Sequence, residues 1–93
     1  MSNSSNLNDL NDLKDFRKQI DKIDDILVNL LSERFAAVKN IAEYKKARGL
    51  EVFQQDREAE VLKNISDKTD EEYRGYILQI YAEILKMSKL SQI

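Results

Sequence analysis

From Leu13 to Lys45 the apolar residues recur at a helical period. With Leu27 at zero and 100° per residue, Leu13, Phe16, Ile20, Ile23, Leu27, Leu30, Leu31, Val38 and Ile41 fall within about 60° of one line. No Pro or Gly interrupts the stretch, and outward positions such as Lys18, Lys22, Glu33 and Glu43 are good helix formers. Pattern and propensity together predict one long amphipathic helix. It should stop near Ala47-Arg48-Gly49, where Gly49 suits the left-handed position past a helix end and Arg48 complements the dipole. At the other end Asn8, Asp9, Asn11 and Asp12 offer competing N-caps. Residues 1–8, rich in Ser and Asn, read as a flexible polar arm ahead of a single domain over 9–93.

Two shorter helices follow. Leu50-Glu51-Val52-Phe53 reads as an extended connector, and a second helix is predicted from about Asp56 to Ser66, with Val61, Leu62 and Ile65 as its apolar face and Glu58 on that face. A third begins at Thr69, which forms a capping box with Glu72, and runs nearly to the C-terminus. Its stripe is Ile77, Ile80, Tyr81, Ile84, Leu85 and Met87. The tyrosines Tyr44, Tyr73, Tyr76 and Tyr81 read as packing residues. The predicted class is all-α, with one long and two shorter helices.

Length makes this reading incomplete for one chain. The first helix would span roughly 50 Å at 1.5 Å per residue, whereas a globule of this length has a radius of gyration near 12 Å. Two short helices cannot cover it. A second copy, with the long helices packed along each other, can, so an intertwined homodimer is predicted.

Several polar residues sit where the stripes should be apolar. On the first helix Arg34 lies about 20° from the centre line and Lys45 on it, with Arg17 at the edge, about 80° away. On the third, Ser88 lies about 20° and Gln92 about 60° from Ile77. Taken singly each has an ordinary explanation: a snorkelling stem, a Glu58 that neutralises one cation, a Ser88 that bonds back to a carbonyl one turn earlier. As a set they direct more positive than negative charge inward, and such an excess calls for an anion. A small dicarboxylate fits, held by arginine on its carboxylates with Lys45 and Gln92 as donors and Glu58 as acceptor for a hydroxyl. Arg17 lies about 25 Å along the axis from Arg34, so a symmetry mate would have to supply it.

Composition narrows the chemistry further. The 93 residues include no Cys and no His, which excludes thiol nucleophiles, Cys/His zinc sites, histidine bases and disulfides. Net charge is −2 with acidic and basic residues interspersed, so a nucleic-acid partner is not expected. No stretch resembles a secretory or membrane-spanning segment, and a cytoplasmic protein is expected.

The order Arg17-x-x-Ile20-Asp21-x-Ile23-Asp24, Leu30-Leu31-x-x-Arg34, Tyr44-Lys45, Asp56-Arg57-Glu58 and Ser88-x-x-x-Gln92 closely resembles the all-helical chorismate mutases. The resemblance covers nearly the whole chain after residue 8. It implies an intertwined dimer with two sites, each completed by an arginine from the partner, which Arg17 matches. It further implies that Arg17 of the second copy and Arg34 hold the substrate carboxylates, that Lys45 and Gln92 face the ether oxygen, and that Glu58 takes the ring hydroxyl. Ser88 and Arg57 would add carboxylate and hydroxyl contacts. The chain departs from the pattern at Gln54, where many relatives carry an acidic residue.

The implied reaction, chorismate to prephenate in phenylalanine and tyrosine biosynthesis, is a pericyclic rearrangement. It needs no nucleophile, metal or cofactor, so a chain without His or Cys is not handicapped. Three alternatives remain open: an isochorismate pyruvate lyase on the same scaffold, a regulatory mutase-like dimer that docks onto another enzyme of aromatic biosynthesis, and a purely structural helical dimer.

Overall fold

The computed structural model describes the backbone of residues 2–53 and 55–93 and the side chains of residues 9–53 and 56–93; the departure at Gln54 lies outside them. The described residues form three helices and no strand: α1 (Ser2–Ala47), α2 (Gln55–Lys68) and α3 (Glu71–Ser91). The all-α class with one long and two shorter helices agrees with the sequence. No described helix is long and apolar enough to cross a membrane.

The end of α1 and the α2–α3 corner each have a visible cause. α1 begins at Ser2, upstream of the Asn8–Asp12 cap candidates. It ends where expected, in a Schellman motif: Gly49 takes φ 66°, Leu50 N–H donates to Lys45 O at 2.8 Å, and Gly49 N–H donates to Lys46 O at 3.2 Å. Arg48 folds back over this end, donating to Tyr44 O at 3.4 Å with its guanidinium 3.6 Å from the Tyr44 ring centroid. Tyr44 is thus an exposed platform for Arg48 and not a packing residue.

The α2–α3 corner corrects the predicted capping box. Thr69 Oγ1 donates backwards to Ile65 O at 2.6 Å, and Asp70 becomes the N-cap of α3 without a side-chain cap bond. Arg74 closes the corner, with Nε donating to Ser66 O at 2.9 Å and Nη2 to Thr69 O at 2.8 Å. The carbonyls at the end of α2 lack intrahelical partners, and a cation and a hydroxyl together satisfy more of them than a box on the next helix would. With only Thr69 and Asp70 between them, α2 packs back on α3.

The chain divides into two units, Met1–Arg34 and Phe35–Ile93. The described residues of the first are helical, and every described side chain from Asp9 to Leu30 is exposed, the apolar stripe included. The second holds the end of α1 with α2 and α3. There α2 buries the expected face, with Glu58, Val61, Leu62 and Ile65 all half-buried.

On the other two helices the covered line is rotated from the predicted one. On α3 the half-buried apolar residues are Ile77, Leu78, Tyr81, Ile84 and Leu85, while Ile80 and Met87 are exposed. The covered line therefore passes about 40° from Ile77 towards Leu78, which brings both Ser88 and Gln92 within about 20° of its centre. On α1 the covered residues beyond Arg34 are Phe35, Val38, Ala42 and Lys45, and Ile41 is exposed. Tyr73 and Tyr76, read as packing residues, are exposed as well.

Candidate active site

Within Phe35–Ile93 four of the singled-out residues lie on covered faces of three helices. Lys45, in the last turn of α1, is half-buried, and its Nζ donates to Val52 O at 3.4 Å in the connector. The Schellman turn makes this contact possible by reversing the chain immediately after Lys45, so the connector passes back beside it. An ammonium carries three N–H donors, and a bond to one carbonyl fixes its direction while leaving two for a ligand.

Glu58 stands in the first turn of α2, half-buried and without an ion-pair partner among the described residues. Carboxylates near a helix N-terminus are stabilised by the dipole. Its carboxylate oxygens there are hydrogen-bond acceptors.

Ser88 is 5% exposed, and its Oγ donates to Ile84 O at 2.7 Å. The back-bond anticipated as the ordinary reading is present. It uses the hydroxyl proton. Ala42 is 4% exposed, and these two small residues are the only buried ones among the described side chains.

Gln92 is the C-cap of α3, half-buried, with φ −90° and ψ −6°. Its backbone carbonyl accepts a hydrogen bond from Lys46 Nζ at 3.3 Å. A groove of about 430 Å³ lies beside it, lined by Phe35, Lys39, Ala42, Lys46, Ser91 and Gln92 among others. Lys45, Glu58 and Ser88 are not in its lining, so this groove flanks the candidate site and does not constitute it.

The remaining three residues stand apart from this group. Arg57 is exposed and pairs with Glu60 Oε1 at 2.6 Å on the α2 surface. Arg17, exposed, and Arg34, half-buried, belong to the other unit. Two contacts near the site escaped the sequence reading: the Lys46 bond to Gln92 O and a cation–π contact of Lys89 Nζ, 5.6 Å from the Phe53 centroid. Both lysines occupy polar positions of amphipathic helices, where nothing in the spacing separates them from ordinary solvated charges.

An ammonium and a side-chain amide are groups that donate to the oxygens of an anion, and a carboxylate is one that accepts from a hydroxyl. Residues 16–93 match the family model described as chorismate mutase type II. Over 73 residues the chain is 35% identical to the bifunctional chorismate mutase/prephenate dehydratase of Aquifex aeolicus (strain VF5), an alignment covering 73% of this chain and 20% of that protein. The chain thus spans about a fifth of the length of that curated relative.

Proposed function

The chain belongs to the chorismate mutase type II family, and we propose that it is an isomerase that rearranges chorismate to prephenate. The observation that carries this reading is the family match over residues 16–93, supported by Lys45, Glu58, Ser88 and Gln92 lying on covered faces of three helices within one unit.

Two physical tasks define the catalysis. The enolpyruvyl group must be held over the ring in a reactive pose, which carboxylate clamps at both ends accomplish. Negative charge on the ether oxygen must be met by fixed donors as the C–O bond breaks. Lys45 and Gln92 supply those donors. Lys45 takes the larger share because it is cationic and its Nζ is already directed by Val52 O. Glu58 accepts the ring hydroxyl, Arg34 contacts a carboxylate, Ser88 donates to a carboxylate once its proton turns away from Ile84 O, and Arg57 adds a carboxylate contact once it leaves Glu60. That exchange costs little, because exposed pairs of this kind are worth about 0.3–0.5 kcal/mol.

The working form in this proposal is an intertwined homodimer in which Arg17 of the second copy completes each site. Its support is the exposure of Phe16, Ile20, Ile23, Leu27 and Leu30 at 48–62% along one face of α1. Covering each of these half-exposed side chains contributes on the order of 1 kcal/mol. The protein is placed in the cytoplasm, and docking onto another enzyme of aromatic biosynthesis is compatible with this form.

The test is turnover of chorismate by the purified chain, with product identification and Lys45→Ala in parallel. Prephenate should form, and the variant should lose about three orders of magnitude in kcat/KM with its helicity intact. Turnover of isochorismate alone would assign the lyase instead. Near-normal activity of Lys45→Ala would remove its role at the ether oxygen.

A further inference from the structure

Lys45 and Lys46 are adjacent but about 100° apart around α1, and they reach different targets. Lys45 Nζ turns to the connector, whereas Lys46 Nζ crosses to α3 and donates to the backbone carbonyl of Gln92 at 3.3 Å. That carbonyl lies at the end of α3, where the last four carbonyls of a helix have no intrahelical donor and carry the negative end of the dipole. A cation placed there satisfies one of them.

We infer that Lys46 is a positioning residue for the proposed reaction, a latch that fixes the Gln92-bearing end of α3 against α1. The inference rests on the mutase reading, in which Gln92 is a donor to the ether oxygen. Among the described residues, three hydrogen bonds at this end are local to α3, while Lys89 Nζ, 5.6 Å from the Phe53 ring centroid, reaches the connector. Gln92 N–H donates to Lys89 O at 3.2 Å, Ile93 N–H to Leu90 O at 3.3 Å, and Ser91 Oγ to Ser88 O at 2.7 Å. They keep the last turn helical but do not set where it stands relative to Lys45. The Lys46 bond does so, because it joins the residue beside one proposed donor to the backbone of the other. A terminal turn frays readily, and a donor that must meet an oxygen at hydrogen-bond distance loses effect when it does.

The latch acts through the backbone of Gln92, so it should affect transition-state stabilisation more than substrate binding. Lys46→Met keeps the aliphatic stem and removes the bond. It should lower kcat about fivefold to tenfold with KM within about twofold. Lys46→Arg, which retains a cationic donor, should restore most of the rate. In a Gln92→Ala background Lys46→Met should cause no further loss, because the group it positions is gone. Amide exchange of the substrate-free full chain gives an independent reading: protection at Gln92 and Ile93 should fall in Lys46→Met and return in Lys46→Arg. Additive loss in the Gln92→Ala background, or unchanged protection in Lys46→Met, overturns the latch. Because exchange needs no substrate, an inactive wild-type chain would refute the mutase reading while leaving the latch to the exchange result.

Discussion

The Asp9–Leu30 stretch of α1 and the Phe35–Ile93 unit follow the same amphipathic rule with opposite results. In the first, Phe16, Ile20, Ile23, Leu27 and Leu30 form a regular stripe that nothing covers. In the second, apolar residues of all three helices are half-buried, and Lys45, Glu58 and Gln92 are half-buried and Ser88 buried beside them in the sequence. A stripe is only an offer of burial. The chain supplies the occupant in one region, and in the other the proposed occupant is a second copy of the same helix.

The comparison breaks most sharply at Leu27. Leu27→Asp places a carboxylate at the centre of the N-terminal stripe. If a second copy covers that stripe, sedimentation should show loss of the dimer and turnover should fall to background, since an unpaired buried charge costs several kcal/mol. If the stripe stays open to solvent, the substitution is nearly silent.

Gln92→Glu probes the covered region with a smaller and pH-dependent effect. A protonated carboxyl donates to the ether oxygen as the amide does, whereas a carboxylate repels the developing charge. Activity should therefore survive at low pH and fall as pH rises through the titration of the new group, near about 4.3 if unperturbed. A flat pH–rate profile would place Gln92 away from the reacting oxygen.

Gly49→Ala should have the smallest effect and should be confined to the covered region. A Cβ at Gly49 meets open space, so the cost arises only from φ 66°, about 1 kcal/mol. Denaturant unfolding should report that loss. The Lys45 bond to Val52 O, which depends on this turn, should weaken with it.

Where local chemistry decides, the sequence was legible. Gly49 ended α1 as its neighbours required, and α2 covered the face that its spacing indicated. Inward polar positions also stood out, because a cation on an apolar stripe needs a reason. What the wheel could not show was which side of each stripe would meet a neighbour. Ile41, Ile80 and Met87 are apolar and correctly spaced, yet Phe35, Ala42 and Leu78 took the covered positions. That choice depends on how helices approach, and small buried residues such as Ala42 and Ser88 do not enlarge a hydrophobic pattern. The Thr69 box failed for a related reason, since a hydroxyl between two helices can serve either end. Lys46 was invisible because its partner is a backbone carbonyl, which every residue possesses.

The central claim is that the open N-terminal stripe of one chain completes the covered site of another. Mixing Arg17→Ala with Lys45→Ala chains, each inactive alone, tests it directly. Random pairing makes half the dimers mixed, and each mixed dimer holds one site with both residues intact, so about a quarter of wild-type turnover of chorismate should return. Activity that stays at the sum of the two separate variants, under conditions where labelled chains demonstrably exchange, would contradict the shared site.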